Sequence, residues 1–399
     1  MKILIVISTL NTGGAQKIVS QITTNFPDNW DIDILLNDDS NIQFPYKGNI
    51  ISLGLPVDSG MGLLYQIKAF LKRVHVLKKM KKENGYKTCI SFMDSGNVAN
   101  IVSGNRYCET MITINNNMSM SAKYRKSYRM IVNPLIKLFY NRADKINVLC
   151  QDVLEDMVKT YHLKREKMGC IYCSIEVELI KRVIEDFKLP AEDEEWFSKD
   201  NTVVSAGRFV LQKGHWHLIR AFNEVHKMCP EAKLVIFGSG PLEEYFNRLI
   251  CDYGMQDCVC LHQFSNKLVG YISKSAVFAF PSVYEGFGTA LQEALCCNTA
   301  CVASDYVSGG REQLDPRYAS EIKGDYHEGE FGILIEEMSG DMPESDVPLD
   351  ASEKALAEAL IKLIEDADYR KKYADVTINR AKEFDIGVIS KQWIEAIEK

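Results

Sequence analysis

A chain of 399 residues, 46% hydrophobic and 25% charged, is long enough for two cored domains and too ordinary in composition to be disordered. Its net charge of −7 hides an asymmetry: residues 1–170 hold 23 Lys+Arg and 14 Asp+Glu, net +9, which leaves the remainder at −16. The basic half suits an anionic partner, and with no recognisable nucleic-acid-binding module a membrane surface is expected rather than nucleic acid.

In chain order, KILIVIS (2–8) is a short apolar run closed by Gly13 and Gly14 and followed by the helical period of AQKIVSQITTNF. It reads as strand, loop, helix. A single lysine before so short a run, with no small-residue cleavage site, does not make a signal peptide. No window approaches the roughly 18 apolar residues of a spanning helix, so a cytoplasmic chain, at most peripheral to a membrane, is expected. WDIDILL (30–36), TCISFM (88–93) and KINVLC (145–150) are further buried-strand candidates, spaced for helices between them. That spacing means a parallel sheet covered on both faces.

Between these strands lie two basic segments. Residues 62–87 carry apolar side chains at 63, 67, 70, 71, 74 and 77 and Lys or Arg at 68, 72, 73, 78, 79, 81 and 82, while 123–142 (KYRKSYRMIVNPLIKLFYNR) adds a basic, aromatic stretch. Both fit an anionic membrane surface, and both also fit core-facing helices with a solvated basic side. Cys170 and Cys173 have zinc-ligand spacing, but no second pair completes a site, and the 12 cysteines read as reduced core thiols.

After an acidic stretch at 184–200 the pattern restarts with TVVSAGR (202–208), AKLVIFG (232–238), CVCLHQF (258–264), AVFAFPS (276–282) and TACVAS (299–304). The fold expected is α/β, with two doubly wound Rossmann-like domains facing a central cleft and ligands at the carboxyl ends of the strands. The acidic, Gly- and Pro-containing segment 337–351 reads as a surface excursion.

Chemistry concentrates around PSVYEGFGTALQEA (281–294). Glu285 follows a buried strand, Gly286, Phe287 and Gly288 form a loop, and Thr289 to Gln292 has capping-box spacing. A helix start offers unpaired N–H groups to phosphate, and glycines permit close approach. Glu293, a turn inside, is placed to accept from ribose hydroxyls and Glu285 from a sugar ring; a plain strand-turn-helix with two solvated glutamates is the alternative. In GRFVLQKG (207–214), Arg208 and Lys213 are cations suited to charge developing on a diphosphate, although loop cations are commonly only solvated. Gly238 and Gly240 in FGSGPLEE, and Gly13 with Gly14, are weaker signals of the same kind.

Taken together, GGAQ, GRFVLQKGHWHLIRAF, VIFGSGPLEE, FPSVYEGFGTALQEAL and the closing FDIGVISKQWIEAI resemble the retaining GT-B glycosyltransferases of family 4 over essentially the whole chain. The resemblance implies an acceptor-binding domain 1–182 completed by a returning helix 384–399, and a nucleotide-sugar-binding domain 183–383. It implies that Glu285 contacts the donor hexose, the backbone of Phe287, Gly288 and Thr289 the diphosphate, Glu293 the ribose, and Arg208 with Lys213 the leaving phosphates, with no metal or other cofactor. The DID at 31–33, similar to the metal motif of the other large glycosyltransferase fold, lies inside a strand and reads as structural. Where family members carry a histidine near the end of an N-terminal-domain strand, this chain has Asn115, Asn116 and Asn117, which hydrogen-bond but cannot act as bases. The implied function is transfer of a hexose or N-acetylhexosamine from a nucleotide diphosphate sugar, UDP foremost, to a lipid-linked glycan. A nucleotide-sugar 2-epimerase and a non-catalytic sugar-nucleotide-binding subunit are the alternatives.

Overall fold

The computed structural model of the chain describes every residue except 12, 57–61, 307 and 318–321. It divides into two compact units, Met1–Ser174 with Ile386–Lys399, and Ile175–Asp385. The passage between them falls after Ser174, whereas the sequence placed it at 182. The helix Val177–Asp186 packs on the helix Leu268–Ile272 of the second unit, which takes the intervening residues with it.

In the first unit, β1 (Lys2–Val6), β2 (Asp31–Leu36), β3 (Asn49–Ser52), β4 (Thr88–Phe92), β5 (Glu109–Ile114), β6 (Lys145–Val148) and β7 (Met168–Cys170) form a parallel sheet in the order β3-β2-β1-β4-β5-β6-β7. β1 and β4 are buried almost throughout because helices cover both faces. The sequence showed β1, β2, β4 and β6 directly and reached β5 only through the resemblance. β3 and β7 are too short and too exposed to leave an apolar run. The DID lies inside β2, where Asp33 accepts from Tyr86 and Asn49 and Lys2 pairs with both carboxylates. The closing helix Ile386–Glu398 belongs to this unit: Trp393 packs against Phe92 at 6.0 Å, and Lys145 Nζ donates to Ala396 O at 2.9 Å.

The second unit repeats the plan with β8 (Thr202–Ala206), β9 (Lys233–Phe237), β10 (Val259–His262), β11 (Val277–Phe280), β12 (Ala300–Ser304), β13 (Tyr326–Glu328) and β14 (Ile333–Ile335), ordered β10-β9-β8-β11-β12-β14-β13. Only β13 runs antiparallel to its neighbour. The strand order reverses between β8 and β11, and loops at the carboxyl ends of such a pair make a crevice where ligands bind in open α/β sheets.

The segment 337–351 is no free excursion. Arg220, fully buried on the helix His215–Met228, donates to the carbonyls of Glu344, Val347 and Pro348, and Trp216 Nε1 donates to Asp341 O. Glu353 accepts from Arg220 and His217 while closing a capping box with Asp350. A buried guanidinium requires acceptors, and a pairing between residues more than a hundred positions apart leaves no local trace. No helix among the described residues is long and apolar enough to cross a membrane.

Candidate active site

The loops after β8 and β11 are zipped together. Val283 N donates to Gln212 O at 2.9 Å, and a Cβ on Gly214, whose φ is 60°, would stand 2.1 Å from Pro281 O. Glycine at 214 is therefore a steric requirement of the close approach. It ends the short turn Leu211–Lys213 and aims Lys213 at the β11 loop.

There the Glu285 carboxylate is only 5% exposed. Oε1 accepts from Lys213 Nζ at 2.6 Å and from Ser282 Oγ at 2.8 Å, and Oε2 from Gln212 Nε2 at 3.2 Å. An ionised carboxylate has about four acceptor positions, so Oε2 keeps one for a further donor. The Lys213 ammonium also lies over the Phe280 ring, 5.1 Å from its centroid. Arg208, by contrast, is exposed and has no ion pair among the described residues.

The other second-unit candidates take their places around this pair. Gly288 is left-handed (φ 85°) and caps the helix Thr289–Leu295, with Thr289 as its first residue. The expected capping box is thus absent, since a residue already inside the helix cannot cap it, and the first-turn N–H groups of Thr289 and Ala290 have no carbonyl partner within the helix. Phe287 is buried, and its carbonyl accepts from Tyr306 and Gln313. Gly286 lies between Glu285 and Phe287, and Glu293 is half-buried on the helix. A Cβ on Gly238 would stand 2.0 Å from Gly207 O, and one on Gly240 2.6 Å from Phe209 O. These glycines are needed first by the protein's own loops.

Two histidines that the sequence did not single out lie close by. His215 is fully buried, edge-on to Phe209 and Phe246 at 5.8 and 6.1 Å, with neither ring nitrogen hydrogen-bonded. Burial and the Lys213 charge push its pKa down to about 3. His217, Asp350 and Glu353 form the one group among the described residues close enough to share a cation, but their atoms are occupied by Arg220, Ser339 O and the helix cap. None of the 12 cysteines forms a disulfide among the described residues, and burial pushes the Cys173 thiol up to about 12.

In the first unit Gly13 caps the helix Gly14–Asn25 with φ 135°, and a Cβ there would meet the Gln16 side chain at 2.5 Å; Gly14 has open space. Asn117 caps the helix Met118–Tyr124 through Oδ1 to Met120 N at 2.9 Å, and Asn116 is exposed. Asn115, just past β5, keeps both amide atoms buried and unpartnered. So does Asn147, which sits opposite Thr113 in the β5–β6 register, and the Thr113 hydroxyl also lacks a partner. The sequence signal for Asn147 was a lone amide inside the apolar run KINVLC, and it was read only as strand.

Residues 187–325 match the family model described as glycosyl transferases group 1. A glycosyltransferase of Methanocaldococcus jannaschii is 31% identical over 353 residues, 84% of this chain and 85% of the relative. The chain belongs to the group 1 glycosyltransferases. In this glycosyltransferase the matched region holds every second-unit candidate, from Arg208 to Glu293. N-acetylgalactosamine-N,N'-diacetylbacillosaminyl-diphospho-undecaprenol 4-alpha-N-acetylgalactosaminyltransferase of Campylobacter jejuni is 30% identical over 392 residues, 96% of each chain. Sucrose-phosphate synthase from Thermosynechococcus elongatus superposes with a TM-score of 0.73 at 17% identity, covering 100% of this chain and 98% of the other. Anabaena HepE in complex with UDP gives 0.72 at 17% identity over 100% of both. At such identities the likeness is one of fold, and the fold is GT-B.

Proposed function

We propose that this glycosyltransferase moves a hexose or N-acetylhexosamine, with retention of configuration, from a UDP-sugar to a lipid-linked glycan in surface polysaccharide or glycolipid assembly. The observation that carries the reading is the Glu285 carboxylate, buried beside a sheet reversal, fixed by Lys213, Ser282 and Gln212, with one acceptor position left on Oε2. Such a group orients a neutral, hydroxyl-rich ligand. With three donors holding it, it serves as an acceptor for a sugar hydroxyl rather than as a nucleophile. The name of the C. jejuni relative, with its diphospho-undecaprenol, supports the acceptor class, and UDP in the HepE complex supports the donor.

In the reaction the bond from the anomeric carbon to the UDP oxygen breaks, and its electron pair leaves on the diphosphate. The acceptor hydroxyl attacks on the same face, and its proton passes to a phosphate oxygen. Arg208 and Lys213 stabilise the charge that grows on the leaving group, with no metal required. The N–H groups at Gly288 and Thr289 face the diphosphate, Glu293 takes the ribose, and Gly238, Gly240 and the Gly13–Gly14 turn admit the donor. On the first unit the unspent hydrogen bonds of the buried Asn115 and Asn147 amides are met by sugar hydroxyls once the acceptor reaches them.

The test is UDP release across a panel of nucleotide sugars, with EDTA present, with and without a lipid-glycan extract, beside Glu285→Gln and Lys213→Ala. Release that needs the extract and collapses in both variants supports the reading. Conversion of the sugar at C2 without transfer would point to an epimerase, and UDP-induced thermal stabilisation without release to a binding subunit.

A further inference from the structure

The basic character of the first unit is not spread evenly over its surface. In the helix Leu63–Glu83, Arg73 and Lys81 are internal: Arg73 donates to Asn37 and Ser95, and Lys81 to the carbonyls of Asn100 and Gly104 and the hydroxyl of Thr110. Removing those two leaves Lys68, Lys72, Lys78, Lys79 and Lys82 exposed. Among them runs an uncovered apolar row, Leu64, Ile67 and Leu71, 76, 46 and 59% exposed, at the i, i+3, i+7 spacing of one helix side.

The second basic segment repeats the combination. Met130, Ile131 and Leu138 are 63, 60 and 59% exposed among exposed Lys123, Arg125, Lys126, Arg129 and Lys137. The two segments meet on one helix, Asp94–Val102: Arg73 Nη1 donates to Ser95 Oγ at 2.7 Å, and Tyr140 Oη to Asp94 Oδ1 at 3.2 Å. Both segments therefore pack on that helix through their buried sides. No Asp or Glu occurs in 62–82 or in 110–143.

Single exposed apolar side chains are ordinary. Six of them in two patches, each set among lysines and arginines with no carboxylate between 62 and 82 or between 110 and 143, are not. Water gains nothing from such a face, and nucleic acid would use the charge but not the leucines. An interface with anionic headgroups above and acyl chains below uses both.

We propose that this face docks on an anionic lipid bilayer, with Leu64, Ile67, Leu71, Met130, Ile131 and Leu138 entering the headgroup boundary and the surrounding lysines and arginines holding the lipid charge. The inference rests on exposure and charge alone and stands apart from the transferase reading. Co-sedimentation of the full chain with phosphatidylcholine vesicles, with or without about one-third phosphatidylglycerol, tests it. Binding should require phosphatidylglycerol and weaken as salt rises. Leu64→Ser/Ile67→Ser/Leu71→Ser and Lys68→Glu/Lys126→Glu/Arg129→Glu should each weaken it about tenfold or more, with circular dichroism and melting temperature unchanged because every altered side chain is exposed. Inorganic phosphate should displace the chain no more than chloride does at equal ionic strength. Equal binding to both vesicle types, unchanged binding by the two triple variants, or displacement by phosphate beyond that shared salt effect would overturn the proposal.

Discussion

At the carboxyl end of β11 a buried carboxylate meets three donors, whereas at the ends of β5 and β6 the amides of Asn115 and Asn147 and the hydroxyl of Thr113 meet none. A buried charge is far costlier to leave unpaired than a buried amide. The charged site of the second unit must therefore be assembled before ligand arrives, while the neutral one of the first unit can stay open. Under the proposed transfer, the preorganised carboxylate suits a nucleotide sugar whose leaving group gains charge, and the unspent hydrogen bonds of the first unit suit an acceptor that offers hydroxyls.

The comparison breaks first at Lys213. Lys213→Ala leaves Glu285 buried without its cation and should cost about 3–5 kcal/mol of stability, and it should lower kcat by about 10²- to 10³-fold. Adding Glu285→Gln to Lys213→Met should return most of the stability and none of the activity in urea unfolding and turnover assays. Recovery of both would show that the lysine serves only its partner.

Next in size is glycine. Gly238→Ala drives a Cβ toward Gly207 O and should cost roughly 2–4 kcal/mol, while Gly14→Ala, with open space around it, should change the urea midpoint little. Equal effects would show that Gly207 O moves away from an added Cβ at little cost. In the first unit, Asn147→Leu deletes two unmet polar atoms and should raise stability by about 1–3 kcal/mol while raising KM for the acceptor. A loss of stability would mean that ordered water already fills those bonds.

The last effect is graded by pH and is small only per unit. His215 titrates at about 3 when folded against an ordinary value near 6.5, so the unfolded chain takes up the proton first. Its contribution is complete above about 6.5 and is lost as pH falls toward 3, at about 1.4 kcal/mol per pH unit. His215→Phe should flatten that limb of the stability profile relative to the wild type, and parallel profiles would show that the ring is hydrated.

Much of this was legible along the chain. Runs such as KILIV and VFAF announce doubly covered strands because a parallel sheet buries both faces, and Arg208, Lys213 and Glu285 beside strand ends, with Glu293 a turn further on, mark the loops from which a donor site is expected. Asn115, Asn116 and Asn117 were visible as a group but not separable. Only the cap on Met120 N and the buried, unpartnered atoms of Asn115 tell them apart.

The local pattern of apolar and polar residues, set by what each element must bury, fixed the two-sheet plan and the position of the site residues on it. Partner choice was decided by the tertiary structure. Glu285 finds Lys213 across 72 positions, Arg220 finds the carbonyls near 345, and Arg73 and Lys81 turn inward while Lys68 and Lys79 stay out. Periodicity carries the face a side chain takes. Which donor waits there depends on segments brought together only when the loops between them close.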